Sequence, residues 1–409
     1  SQLLQPQNIT PIQPRLAESN LFLISGQGPG SLSFNEFNPI FNRNGAAAQF
    51  SILAGRHDTI GGEFTLAGIQ NKLSWSFGYS LFETDGWRDN ADQDDKIANA
   101  FLQYEITYKT SIQAEFRYRE NERGDLRLRF FEDDVFSTQR EEEDTRYFRI
   151  GGRHSWTPSN ITLVNLAYQN ADRTFTLGAA DLGFPVIAFE ADIPDEDGYS
   201  AEAQHLFRSQ YFDFTVGAGY FDVDSKFDTT ASTVFPPPFD VIESRIDQDL
   251  KHYNVYAYNY IKPLENLTFI VGASGDFVRT DDEDAFLKDK DKFNPKFGIT
   301  WNPVPSTTLR GTVFRAFKRT LIVDQTLEPT QVAGFNQFFD DPNGTESWRY
   351  GIAWDQKLPQ NIYVGVESSY RDLSVPYIFD TGVGTPETRT ESVDEYEGRA
   401  YFFWTPHDW

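Results

Sequence analysis

The side chains best equipped for chemistry in this sequence are acidic. Asp89-Asn90-Ala91-Asp92-Gln93-Asp94-Asp95 sets several oxygen donors close together. Asp89, Asp92, Asp94 and Asp95 are therefore candidate ligands for a hard cation, with Ca2+ the cofactor they would suit. The run lacks the spacing of an EF-hand loop, so a solvated acidic loop is the plainer reading. The same weighing applies to Asp281-Asp282-Glu283-Asp284, and Asp340-Asp341-Pro342-Asn343-Gly344 reads more simply as a turn. His57, His154, His205, His252 and His407 are scattered, without metal-ligand spacing. Ser, Asp and Glu are plentiful, yet no nucleophile motif stands out, and an enzyme is not expected. A site assembled from distant loop ends is the one catalytic alternative.

A second set of charges has a clear period. Gln113, Glu115, Arg117 and Arg119 alternate with Ile112, Ala114, Phe116 and Tyr118. Successive strand residues point to opposite faces, so this stretch has one ionic and one apolar side. Glu105, Arg149, Arg153, Arg349, Glu367, Arg371 and Arg399 fall on the polar side of similar runs, as do Glu202, Asp276, Asp355 and Glu397. Such a ladder lines a path for a solute, or neutralises itself by pairing between strands.

The elements that must hold this ladder are strands joined by tight turns. In residues 294–320, Phe297, Ile299 and Trp301 oppose Lys296, Gly298, Thr300 and Asn302; Pro303 and Pro305 end the ladder, and a second strand carries Leu309, Gly311 and Val313 on one face. The cleanest run is residues 73–81, where Leu73, Trp75, Phe77, Tyr79 and Leu81 oppose Ser74, Ser76, Gly78 and Ser80. Trp301-Asn302-Pro303 has the same form as Trp156-Thr157-Pro158 and Trp404-Thr405-Pro406. Trp156, Trp301 and Trp404, at strand ends beside short turns, suit the aromatic belt of a membrane barrel.

Short turns fall near 71, 109, 158, 210, 263, 304, 359 and 406. Long polar loops are expected at 83–96, 120–145, 178–198, 224–248, 279–292, 320–346 and 372–394. A propeller blade needs four strands in a comparable span, so that fold does not fit. A soluble sandwich would also allow one charged face, but not this asymmetry of connections. The pattern predicts an all-β fold, a large antiparallel up-and-down transmembrane β-barrel over residues 21–409. About 17 strands are visible, and the trailing turn at 406 predicts further strands beyond Trp409. Residues 1–20, with three prolines, read as a linker or irregular lead-in.

Composition agrees. The 409 residues include no Cys and no Met, with 16% aromatic and 24% charged side chains and a net charge of −25. No apolar run approaches the ~20 residues of a spanning helix, but barrels average polar because alternate residues face the lumen. The acidic balance excludes nucleic acid as the main partner. With no starting Met or signal peptide, the chain is either mature or cut from something longer. The Asn-x-Thr sequons are discounted, since an outer-membrane compartment does not normally use them.

Residues 295–370 resemble the barrel of TonB-dependent outer-membrane receptors. The resemblance is carried by Pro295-Lys296-Phe297-Gly298, by the strand over 308–318 (TLRGTVFRAFK), by Leu327-Glu328-Pro329, and by Glu346-Ser347-Trp348-Arg349-Tyr350-Gly351. Residues 35–42 (NEFNPIFN), with Glu83-Thr84-Asp85-Gly86-Trp87-Arg88, are similar to a subgroup with an upstream tetratricopeptide region. The resemblance implies a bacterial outer-membrane barrel for passage or uptake of a solute, amid lipid and lipopolysaccharide. Two departures matter: residues 1–20 are too short for the family's plug, and no TonB-box-like segment is readable. Without a plug, a wide barrel would be open unless its loops or another chain fill it. The alternatives are a scaffold whose acidic loops bind an extracellular or periplasmic protein partner, and a polymer-export pore with a periplasmic repeat domain.

Overall fold

Alternation of apolar and polar side chains, punctuated by turn residues, builds one long meander. A computed structural model describes residues 44–126, 135–180, 186–235, 241–280, 289–319, 326–337, 341–379 and 387–406. The first strands are β1 (Gly45–Ala54), β2 (Ile60–Gln70), β3 (Leu73–Thr84), β4 (Gln93–Thr107) and β5 (Thr110–Arg123). Five long ones follow: β6 (Gln139–Thr157), β7 (Asn160–Ala180), β8 (Val186–Arg208), β9 (Phe212–Phe235) and β10 (Val241–Leu264). After β11 (Leu267–Thr280), β12 (Lys290–Val304) and β13 (Thr307–Phe317) comes a small hairpin, β14 (Gln331–Val332) and β15 (Phe335–Asn336). β16 (Glu346–Leu358), β17 (Ile362–Phe379) and β18 (Glu387–Trp404) complete the chain. Among the described residues sixteen strands form a single antiparallel sheet in chain order, with β1 and β18 at its margins, and β14 and β15 stand apart. This is the antiparallel up-and-down wall expected from the sequence.

The two faces of the wall are inverted relative to a soluble protein. Phe77, Phe116 and Phe269 are 47%, 46% and 40% exposed, whereas Arg117 on the opposite face is 5% exposed. The apolar side is the outside. On β9 it runs from Phe212 to Tyr220, nine residues, or roughly 30 Å along the strand. Tilted as barrel strands are, that gives a band of about 23 Å, the height of an outer-membrane apolar girdle.

Aromatic residues mark both borders of the band. At the short-turn end Trp156, Trp301 and Trp404 are exposed, joined by Tyr108 and Trp354. Trp156 donates its indole N–H to Thr162 Oγ1 at 3.0 Å. At the other border a row of tyrosines hands its hydroxyls to carboxylates. Tyr168 donates to Asp197 at 2.7 Å, Tyr220 to Asp222 at 2.6 Å and Tyr370 to Asp394 at 2.6 Å. Tyr118 donates to Glu120 at 3.2 Å. Neighbouring rings pair along the row, Tyr168 with Tyr199 and Tyr220 with Tyr253, with centroids 4.9 and 5.0 Å apart.

Three expected loops prove to be mostly strand, among them residues 372–394, which fall largely in β17 and β18. Residues 178–198 and 224–248 belong largely to β7–β10, whose strands reach 21 to 24 residues. A spanning strand needs only about 9–11, so the hydrogen-bonded wall continues beyond the apolar band. There both faces meet water, polar residues occupy both, and the apolar alternation that signals a strand disappears. The turns fall as expected: Asn71 and Lys72, Tyr108 and Lys109, Pro158 and Ser159, and residues 209–211. Residues 1–43, with the lead-in and the 35–42 motif, lie outside the described residues. So do Glu132-Asp133-Asp134, residues 281–284, Asp340, His407 and Trp409.

Candidate functional site

The inner face gathers the charged ladder. On β4–β6 its members satisfy one another across neighbouring strands. Gln113 Nε2 donates to Gln103 Oε1 at 2.8 Å, and Arg149 is ion-paired with Glu115 where both are buried. Arg119 forms a two-pronged bond with Asp95, both contacts at 3.0 Å. Arg153 is half-buried on the same face of β6, facing Ser111 across one ladder and Leu163 across the other. Glu105 is exposed, because it sits at the short-turn end of β4, where the register with β5 breaks. Ile97 and Phe101 are buried on the inner side of β4 as well.

On β13–β18 the ladder is longer and shared among strands. Arg310 reaches Asp355 at 3.1 Å and Glu367 at 3.2 Å, and Arg399 reaches the other oxygen of Glu367 at 2.7 Å. Arg349 donates to Glu397 and to Ser369 Oγ, each at 2.8 Å. Arg371 bonds Glu395 and Asp341. Register explains the pairing, since Glu367 lies directly opposite Arg399, and Arg371 opposite Glu395.

Between these regions the wall carries something the sequence does not announce. Of the connection from β13 to β16, expected as a long loop at 320–346, residues 326–337 lie inside the barrel. They lie on the inner wall of β8–β16. Leu327 packs its side chain with Ile161, Leu163 and Leu206. Its backbone N–H donates to Glu202 Oε2 at 2.9 Å, and its carbonyl accepts from Gln204 Nε2. Thr326 Oγ1 also donates to Glu202. Glu328 is buried between Arg319, at 2.8 Å, and the hydroxyl of Tyr258, at 2.6 Å. Gln337 closes the segment on itself, donating to the Pro329 carbonyl and to Tyr258 Oη.

The hairpin β14–β15 turns through Ala333 and Gly334, whose φ angles of 50° and 84° are those of a tight primed turn. Its Phe335 ring lies between two guanidiniums, Arg310 and Arg349, each 5.4 Å from the ring centroid. Those arginines also hold the hairpin backbone, at the carbonyls of Ala333 (3.3 Å) and Asn336 (3.1 Å). The wall makes room by omitting side chains. A Cβ on Gly351 would lie 2.4 Å from the Phe335 ring, and one on Gly298 would lie 3.0 Å from Ala333 Cβ.

Above the hairpin, Asp276 collects His252 at 2.9 Å, Asn254 at 3.0 Å and Asn294 at 2.6 Å, with Arg319 at 3.7 Å. All five are buried, and Lys296 beside them donates to the Arg315 carbonyl at 3.0 Å.

The four proposed calcium ligands do not converge. Asp92 pairs with Arg140, Asp94 with Lys96 and Asp95 with Arg119, while Asp89 is exposed. Neighbours on a strand face opposite ways, which separates Asp94 from Asp95 on β4. Among the described residues no group of three or more His, Asp or Glu side chains could hold a metal ion.

Comparison with known proteins follows the same outline. Residues 50–405 match the family model described as TonB dependent receptor-like, beta-barrel. No curated protein matches the chain. Among solved structures, the P. aeruginosa receptor FpvA in complex with an iron-bound pyoverdine superposes with a TM-score of 0.65 at 11% identity, covering 89% of this chain and 54% of that one. The copper transporter OprC gives 0.64 at 11%, with 88% and 59% covered. The ferric-catecholate import receptor Fiu of E. coli K12 gives 0.64 at 9%, with 89% and 63% covered. The chain thus spans between half and two thirds of the length of these structures, and the likeness is one of fold.

Proposed function

The chain belongs to the TonB-dependent receptor-like β-barrel family of the Gram-negative outer membrane, and from that premise we propose that it forms the barrel wall through which a solute is taken up. The observation carrying this reading is the inversion of the wall: an oily band outside, and inside a ladder in which Arg310, Arg349, Arg371 and Arg399 meet Asp355, Glu367, Glu395 and Glu397. A ladder of both signs offers hydrogen bonds without a strong net field, which suits a polar solute that exchanges partners as it moves. A ligand or protein partner would meet the barrel at its long-connection end, where the acidic rim lies. The family's members are transporters.

The test is expression behind a signal sequence, with membrane extraction, gel migration before and after heating, and solute uptake into proteoliposomes. A detergent-requiring, heat-modifiable protein that admits polar solute is expected. Solubility without detergent would end the membrane reading, and a heat-modifiable barrel that admits nothing would end the uptake reading.

A further inference from the structure

We propose that residues 326–337 form a fixed internal stopper, which narrows the lumen near its short-turn end and stays seated while solute passes beside it. The proposal rests on the uptake reading for its second half only.

Depth is the first argument. Leu327 packs against Ile161, one position past the start of β7 at its short turn, and against Leu206, two positions before the end of β8, while the hairpin tip at Ala333 lies against Gly298, opposite Thr312 midway along β13. Yet the connection starts and ends at the opposite rim, at Phe317 and Glu346. Residues 326–337 therefore sit well below that rim, where a loop closing only the outer mouth would not reach.

The anchors are the second argument. Leu327 has its side chain in an apolar pocket and both of its backbone polar groups engaged by wall residues. Glu328 has an arginine and a tyrosine, and Phe335 is clasped by two arginines over a wall stripped of side chains at Gly298 and Gly351. Withdrawing the segment would leave Glu202, Glu328 and Arg319 without these partners while exposing Leu327, Val332 and Phe335 to water. Buried charges that lose their partner are strongly unfavourable. A gate that swings at each transport event would be held far more loosely.

The chain has no cysteine, so a pair introduced for tethering stands alone. Gly298→Cys with Ala333→Cys is the natural choice, since a Cβ at 298 lies 3.0 Å from Ala333 Cβ, close to the ~3.5–4.5 Å of a disulfide. In native membranes the pair should cross-link on oxidation, with uptake by the cross-linked protein within about twofold of the reduced form. Failure to cross-link overturns the placement; uptake lost on oxidation and regained with reductant overturns the fixed stopper in favour of a moving gate. Independently of any substrate, Leu327→Ala combined with Phe335→Ala should raise KCl conductance in planar bilayers several-fold. Unchanged conductance, in protein that still shows heat-modifiable migration, also overturns it. Because the conductance arm needs no transported solute, failure of the uptake reading and failure of the stopper are separable.

Discussion

The inner faces of β4–β6 and of β8–β16 solve one problem in two ways. Both bury charge on the lumen side of a membrane wall. Along β4–β6 the partner is the next strand: Gln103 with Gln113, Glu115 with Arg149, Asp95 with Arg119. Along β8–β16 many partners come from a segment far away in the chain, with Glu202 and Leu327 separated by 125 positions. In the first region these bonds join a strand to its immediate neighbour in the meander. The second is one network, in which Arg319 joins Asp276, Thr326 and Glu328, and Glu328 joins Tyr258. Bonds between adjacent strands are local, whereas the network ties several strands to one distant segment and fails together.

The largest test of that contrast removes one cation from each region. Arg319→Ala leaves Glu328 buried and should cost about 3–5 kcal/mol, seen as a lower midpoint in urea unfolding from micelles. Arg123 on β5 pairs with Glu141 on β6 where both are partly exposed, so Arg123→Ala should cost about 1 kcal/mol or less. Equal losses would dissolve the distinction.

Next comes the apolar anchor. Leu327→Ala opens a hole among Ile161, Leu163 and Leu206, with an expected loss of about 2–5 kcal/mol. An unfolding midpoint indistinguishable from the parent would mean that the segment does not brace the wall.

Close approach gives a third comparison. Gly351→Ala drives a methyl into the Phe335 ring and should cost about 1–3 kcal/mol. Gly152 on β6 has nothing within 4 Å of its would-be Cβ, and Gly152→Ala should stay within about 0.5 kcal/mol of the parent. The midpoints of the two variants, measured side by side, decide it. The smallest effect belongs to the double change Gln103→Leu with Gln113→Leu, which removes both partners of one bond and should be nearly neutral; a large loss would show that this pair has further ties.

What the sequence shows of this molecule follows the same division. The outward row Leu73, Trp75, Phe77 and Tyr79, the tight turns and the tryptophan belt are legible because each depends on residues two to five positions apart. Members of the inner ladder can be named for the same reason, although their partners come only with the register. Leu327-Glu328-Pro329 is conspicuous as a motif, but nothing local tells an outward loop from an inward one; the cue is that the glycines at 298 and 351 and the pocket at 161–206 are complementary to it. The upper halves of β7–β10 are hidden for a different reason: in water on both sides, Asp222, Asp224 and Lys226 look like loop.

The row of tyrosines leaning on carboxylates works as a waterline. Sliding the barrel inward by one residue pair would carry Asp197, Asp222 and Asp394 about 5 Å toward the oil, at roughly 1 kcal/mol apiece. Sliding it outward would lift the rings clear of the interface they straddle and pull the tryptophans at the far border off theirs. With both borders marked, the draught of the barrel is set to within a single pleat, and the depth of anything lodged in its lumen is set with it.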